Sequence, residues 1–112
     1  VETGLEAEVA YLLPQVAAVS GPVVVLGDFN MSDQSGAYSA MTATLQDGFR
    51  QAGIGLGRTF PNNIRLAGIP IPFPLVRIDY VFHSPHLATT SARVHCIKGQ
   101  SDHCAVLVGL SL

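Results

Sequence analysis

Apolar residues near the N-terminus recur at helical spacing. Leu5, Val9, Leu12, Leu13, Val16 and Val19 fall at i, i+4, i+7, i+8, i+11 and i+14, the stripe of an amphipathic helix. Pro14 lies inside the stripe and predicts a kink or an early break, because proline removes a helical donor. Gly21-Pro22 ends the segment. Val23-Val24-Val25-Leu26 follows as a continuous, mostly β-branched run between turn residues. It predicts a central strand covered on both faces, of the parallel-sheet type. Gly27-Asp28-Phe29-Asn30 stands at its C-terminal end, where open α/β sheets bind ligands.

The pattern then returns to helical spacing. Tyr38, Met41, Leu45 and Phe49 predict a helix from about Gly36 to Phe49 after the polar loop Ser32 to Gly36. Gly53, Gly55 and Gly57 break it. Residues 58–76 read as a long loop, with Pro61, Pro70, Pro72, Pro74, Asn62-Asn63 and Gly68. The loop is unusually apolar, and long loops of this kind are often functional or covered by a partner. Ile78 to Phe82, Ala92 to Ile97 and Ala105 to Leu110 predict three strands, separated by turns at Ser84-Pro85 and Gly99-Gln100. Helix, strand, helix, loop and three strands give an α/β class with a mixed β-sheet flanked by helices.

Composition narrows this picture. The chain has 112 residues, 48% of them hydrophobic and 12% charged, with mean hydropathy +0.38. That apolar fraction is high for one short domain and points to apolar surface that meets a partner or a further segment. Net charge is −2 with six Lys and Arg, so no basic run marks a nucleic-acid surface. No apolar run approaches the ~18 residues of a membrane span. The chain opens on Val1, not Met, which is the expectation for a trimmed or processed piece. Cys96 and Cys104 form neither a disulfide framework nor a zinc pattern. The expectation for them is two buried thiols in neighbouring strands; a single disulfide is the alternative, which their spacing does not indicate.

Against this apolar background the few charges are informative. Three of the five aspartates sit in Gly27-Asp28-Phe29-Asn30, Arg77-Ile78-Asp79-Tyr80 and Ser101-Asp102-His103. Charges at strand ends are costly to bury unless paired or used. Asp28 and Asn30 are two apart and share a side if extended. A carboxylate there can take a proton from water, and an amide can donate to a phosphoryl oxygen. Backbone turn preference explains the same residues. Asp79 reads either as the partner of Arg77 at a sheet edge or as a carboxylate orienting a histidine. Ser101-Asp102-His103 opens the last strand, with Asp102 and His103 on opposite faces and Ser101 free to cap a turn. His83, His86 and His95 read as ordinary half-buried polar residues.

Order and separation bind these motifs together. Gly-Asp-x-Asn after an apolar strand, Arg-Ile-Asp-Tyr about fifty residues on and Ser-Asp-His about twenty further resemble the C-terminal part of the endonuclease/exonuclease/phosphatase superfamily. This is the DNase I-like fold of pancreatic-type DNases, apurinic endonucleases, neutral sphingomyelinases and inositol polyphosphate phosphatases. The resemblance spans nearly all of residues 1–112, including the opening helix and Arg58-Thr59-Phe60-Pro61. It implies the C-terminal half of a four-layer α/β sandwich. It also implies Asp28 as the carboxylate that orients or deprotonates the attacking water, and as a metal contact. Asn30 would contact the scissile phosphate, Asp79 would hold the catalytic histidine, and His103 would be that histidine. Asp102 would lie near the metal, as a direct ligand or one step removed. The implied ion is Mg²⁺ or Mn²⁺, suited to hard oxygen ligands, in metal-dependent phosphoesterase chemistry.

The family domain is about twice as long, and its N-terminal half supplies an asparagine and a metal-holding glutamate that nothing here matches. Glu2, Glu6 and Glu8 lie on the opening helix and do not replace them. The chain is therefore expected to be a half-domain, incomplete as an enzyme, with one sheet face left bare. Self-association through that face into a homodimer is one expectation. The substrate is a phosphate ester: lipid-linked, small-molecule or nucleic acid. Scarce basic residues tilt away from DNA, and the apolar Ile69 to Val76 tilts toward a lipid-linked or membrane-adjacent substrate. The other reading is a non-catalytic interaction module that keeps the fold and lacks activity.

Overall fold

Two helices close over one face of a three-stranded antiparallel sheet, and the side chains that meet there come from the predicted stripes. The structure, a computed structural model, describes residues 4–97 and 101–112; Glu2 and the expected Gly99-Gln100 turn lie outside the described residues. Helix α1 (Gly4–Ala17) runs through Pro14 without the expected break. Its apolar face offsets the lost bond: Leu5, Leu12, Leu13 and Val16 pack on the core around buried Val9, and helices in proteins draw most of their stability from such packing.

Strand β1 (Val24–Asp28) pairs with β5 (Asp79–His83). The pairing is antiparallel, not of the parallel type expected for β1. Nor is β1 covered on both faces. Val25 turns toward the core, whereas Leu26 is 68% exposed and Val24 is 42% exposed. In the order β1-β5-β2 it is an edge strand. Tyr80 and Phe82, two apart and so on one face of β5, stack at 5.3 Å on the core side. Phe29 meets Phe82 edge-on at 5.5 Å, and Tyr38, Met41 and Leu45 complete the cluster.

The helix expected from Gly36 to Phe49 is two short helices with a strand between them. Helix α2 (Gly36–Thr42) is capped by Ser35, β2 (Gln46–Asp47) pairs with β5, and α3 (Gly48–Ala52) is capped by Asp47. Asp47 decides the break. Its carboxylate takes Arg77 Nη1 at 2.7 Å, Arg77 Nη2 at 2.5 Å and the Tyr38 hydroxyl at 2.6 Å. All three residues are buried. Of the two readings of Asp79, the sheet-edge pair with Arg77 does not form, because Arg77 pairs with Asp47.

The apolar loop carries structure of its own. Phe60 bridges to Val76, and β3 (Arg65–Leu66) and β4 (Ile69–Pro70) form a hairpin. Its turn places Ala67 at φ 52° and Gly68 at φ 80°, the double left-handed geometry that closes a two-residue hairpin. Strands β6 (Ala88–His95) and β7 (Ala105–Ser111) make a separate ribbon packed on α3 and β5. Its approach is close: a Cβ on Gly48 would meet Val108 Cγ1 at 2.9 Å. The register pairs His95 with Ala105, which brings Cys96 and Cys104 opposite one another. They form a disulfide with Cα atoms 4.3 Å apart, in place of the two free thiols expected. Spacing alone held no sign of it, because the pairing register creates it.

Candidate active site

Two strand ends and one turn build the site. Asp28 is the last residue of β1 and Asp79 the first of β5, and the register sets them directly opposite. Their side chains share the sheet face away from the helical core. Like charges in that position repel, and His103 lies between them. His103 Nδ1 is 2.8 Å from Asp79 Oδ2, and Nε2 is 3.6 Å from Asp28 Oδ2. The three residues bring ligand-type atoms within 4.8 Å of one another.

The imidazole is held from a third side by the Phe60 ring, 4.9 Å away at 53°. Its pKa is raised above the ordinary 6.5, first by the hydrogen bond with Asp79, with burial opposing and the charges of Asp79, Asp28 and Asp102 adding. A folded-state value above the unfolded one means that the Asp79–His103 contact stabilises the fold fully at pH below 6.5 and fades as pH rises through the folded value. Asp79→Asn is therefore expected to lower the urea midpoint most at about pH 5, with the difference shrinking toward about pH 9. A pH-independent difference would contradict it.

Asn30 departs from the extended geometry expected of it. Its φ is 50°, and its N–H donates to Asp28 Oδ1 at 3.0 Å. The motif is a turn that leaves Asn30 exposed beside Asp28. Asp28 and Asn30 line one open hollow with Gly4, Leu5 and Glu8. Ser101-Asp102-His103 precedes β7, which starts at Ala105. Ser101 Oγ accepts from His103 N–H at 3.1 Å, the turn cap that its position allowed. Asp102 is exposed and outside the three-residue cluster; its backbone carbonyl accepts from Asn62 N–H at 2.6 Å.

Phe60, in the Arg58-Thr59-Phe60-Pro61 segment of the resemblance, and Asn62, a loop amide, have no role that the sequence assigns; folding brings Phe60 to the His103 ring and Asn62 to the backbone just before it. His83 is buried, with Nδ1 at 2.9 Å from Ser84 O and Nε2 at 2.7 Å from Thr89 Oγ1. It is an internal polar residue remote from the cluster.

The donor set suits a hard cation only as part of a coordination shell. Asp28 Oδ1 is engaged by Asn30 N–H and Asp79 Oδ2 by His103. Asp28 Oδ2, 3.6 Å from His103 Nε2, and Asp79 Oδ1 remain, while Asp102 lies outside the cluster. Mg²⁺ commonly takes one or two carboxylates and completes its octahedron with waters and substrate oxygens. The residues present fit such a partial shell.

The site is thus two carboxylates opposed at strand ends with a histidine from the turn before β7 between them. The comparisons with known proteins make this specific. The endonuclease/exonuclease/phosphatase family model matches residues 3–103, and the chain belongs to that family. Its members are generally hydrolases and phosphatases, and generally depend on a divalent metal.

Among solved structures, the chain is similar to an endonuclease/exonuclease/phosphatase from Bacteroides vulgatus, with TM-score 0.77 and 27% identity over 99% of this chain and 45% of that one. It is similar to a family protein from Bacteroides thetaiotaomicron, with TM-score 0.70 and 26% identity over 97% of this chain and 45% of that one. A mannosyl-6-phosphatase from Bacteroides thetaiotaomicron shares the fold, with TM-score 0.66 and 24% identity over 96% of this chain and 44% of that one. No curated protein matches the chain. The chain thus spans less than half the length of these solved relatives.

Proposed function

We propose that this chain supplies the histidine-bearing part of a metal-dependent phosphoesterase site, which hydrolyses a phosphodiester or phosphomonoester by in-line attack of water. The observation that carries the reading is His103 held by Asp79 at 2.8 Å with its far nitrogen toward Asp28. Asp79 keeps the proton on Nδ1 and supports the cationic ring. Nε2–H then presents positive charge where a phosphoryl oxygen gains negative charge. Asp28 orients the attacking water and takes its proton. Asn30, beside it, offers its amide to a phosphate oxygen. Asp28 and Asp102 would hold Mg²⁺ or Mn²⁺ with donors from outside this chain, and the ion supplies further countercharge to the phosphate.

The hairpin supports a substrate with an apolar portion. Leu66 and Ile69 in the hairpin and Phe73 after it stand exposed, and residues 59–78 contain no acidic side chain. Short-chain lipid phosphate esters are expected to turn over faster than water-soluble esters of the same head group; equal rates would remove the lipid preference.

The length comparison and the exposed Leu26 of β1 favour a second reading, a folded portion without activity of its own. The rest of a longer parent protein, or a second copy of this chain, would then cover that face. Mg²⁺ titration with hydrolysis assays on the chain and on the longest natural protein that contains it separates the two. The enzyme reading requires metal-dependent hydrolysis by at least one of them, and a folded sample of each without it would overturn that reading.

A further inference from the structure

We propose that Asn62 is a positioning residue for His103, acting through the backbone that carries the imidazole; this rests on the assignment of His103 to the site. Asn62 is buried, and both protons of its amide are used. Nδ2 donates to Ile97 O at 3.0 Å and to Ser101 O at 2.8 Å. Its backbone N–H donates to Asp102 O at 2.6 Å. One residue therefore ties the end of the segment after β6 to the two residues immediately before His103.

The ties continue in register on either side. Thr59 O accepts from Cys104 N–H at 2.7 Å, and Phe60 lies against the His103 ring. Residues 59–62 thus grip residues 101–104 as a short ladder, with the Asn62 amide as its polar end. The Cys96–Cys104 disulfide closes the same segment from the other side.

His103 itself is only partly buried, with 27% of its side chain exposed. The Asp79 bond and the Phe60 contact act on the ring, whereas the backbone that carries it is held by Ser101 Oγ, residues 59–62 and the disulfide. A buried amide that donates to two backbone carbonyls fixes that backbone from inside the structure, where a lost hydrogen bond is costly. Asn63 Nδ2 reaches the same two oxygens, at 3.1 Å from Ile97 and 3.0 Å from Ser101, but from an exposed position. It is the natural control.

The test is proton NMR of the His103 Nδ1–H, whose protected signal is assigned by its loss in Asp79→Asn. Asn62→Asp keeps the shape and removes both amide donors. Exchange of the Nδ1–H with water is expected to quicken by about ten-fold or more, with the core signals of Tyr80 and Phe82 unchanged, while Asn63→Asp changes it by less than about three-fold. If Asn62→Asp does not fold, Asn62→Ser, which keeps one donor, is expected to give an intermediate rate. Exchange as slow as in the parent in either folded variant would overturn the proposal. The readout needs no turnover, so an inactive chain would count against the phosphoesterase reading and leave this one standing. Where turnover is measurable, kcat falls and KM holds.

Discussion

Turnover of a phosphate ester is expected to fall about 10²- to 10⁴-fold when His103 is replaced by alanine, with the chain still folded. His103 lies at the rim of the structure and not in its core, and what it loses is specific. The hydrogen bond to Asp79 and the approach to Asp28 disappear, and two carboxylates opposed across β1 and β5 lose the imidazole between them. Asp79→Asn is a sharper version of the same experiment. An amide cannot support the imidazolium, so the variant should lose activity at a lower pH than the parent does. The direction follows from the raised His103 pKa, whose main cause is that bond. The measurement is kcat/KM against pH for both variants. A His103→Ala protein within about three-fold of the parent would remove His103 from the chemistry.

The largest effect on stability is expected at Asp47, outside the site. Asp47→Ala would leave Arg77 buried without a counter-charge, lose the Tyr38 hydroxyl bond and uncap α3. Breaking a buried pair from one side costs about 3–5 kcal/mol, a large part of the about 5–15 kcal/mol that holds a typical domain together. Arg77 also lies 4.5 Å over the Tyr80 ring and 5.4 Å over Phe49, so its displacement would disturb the sheet that carries Asp79.

Burial pushes the Asp47 pKa up, but the hydrogen bonds from Arg77 and Tyr38 outweigh it and the net shift is downward. Its contribution is therefore present above the ordinary carboxylate value of 3.8 and lost as pH falls through the depressed folded value. Urea unfolding at neutral pH checks the magnitude. A loss below about 1 kcal/mol would show that the network contributes no more than an exposed pair does.

The motif positions were legible in the sequence because charge was scarce. Asp28, Asp79 and His103 stood out from apolar segments, and strand periodicity placed two of them at strand ends. The helical stripe gave α1 and its packed residues. What periodicity could not carry was anything set by pairing across the chain. Asp47 reads as one more polar residue in a helical window until Arg77, thirty residues away, is seen to claim it. That claim splits the helix and removes Arg77 from Asp79.

The disulfide follows from a strand register, which no local pattern specifies. Asn30 takes a left-handed turn because Asp28 accepts its N–H, a local bond that competes with the extended form. The β1 run looked like a strand covered on both faces because four apolar residues in a row read that way. In the described structure its outer face is open and ends in Asp28, opposite Asp79 of β5.

The measurement that tests the central claim most directly is phosphate-ester hydrolysis with and without Mg²⁺ or Mn²⁺, comparing the parent with Asp28→Ala. It is run on this chain and on the longest natural protein that contains it. The account predicts hydrolysis that needs the metal, stops on chelation and is lost in Asp28→Ala while the fold persists. Hydrolysis that survives both chelation and loss of the Asp28 carboxylate would contradict it.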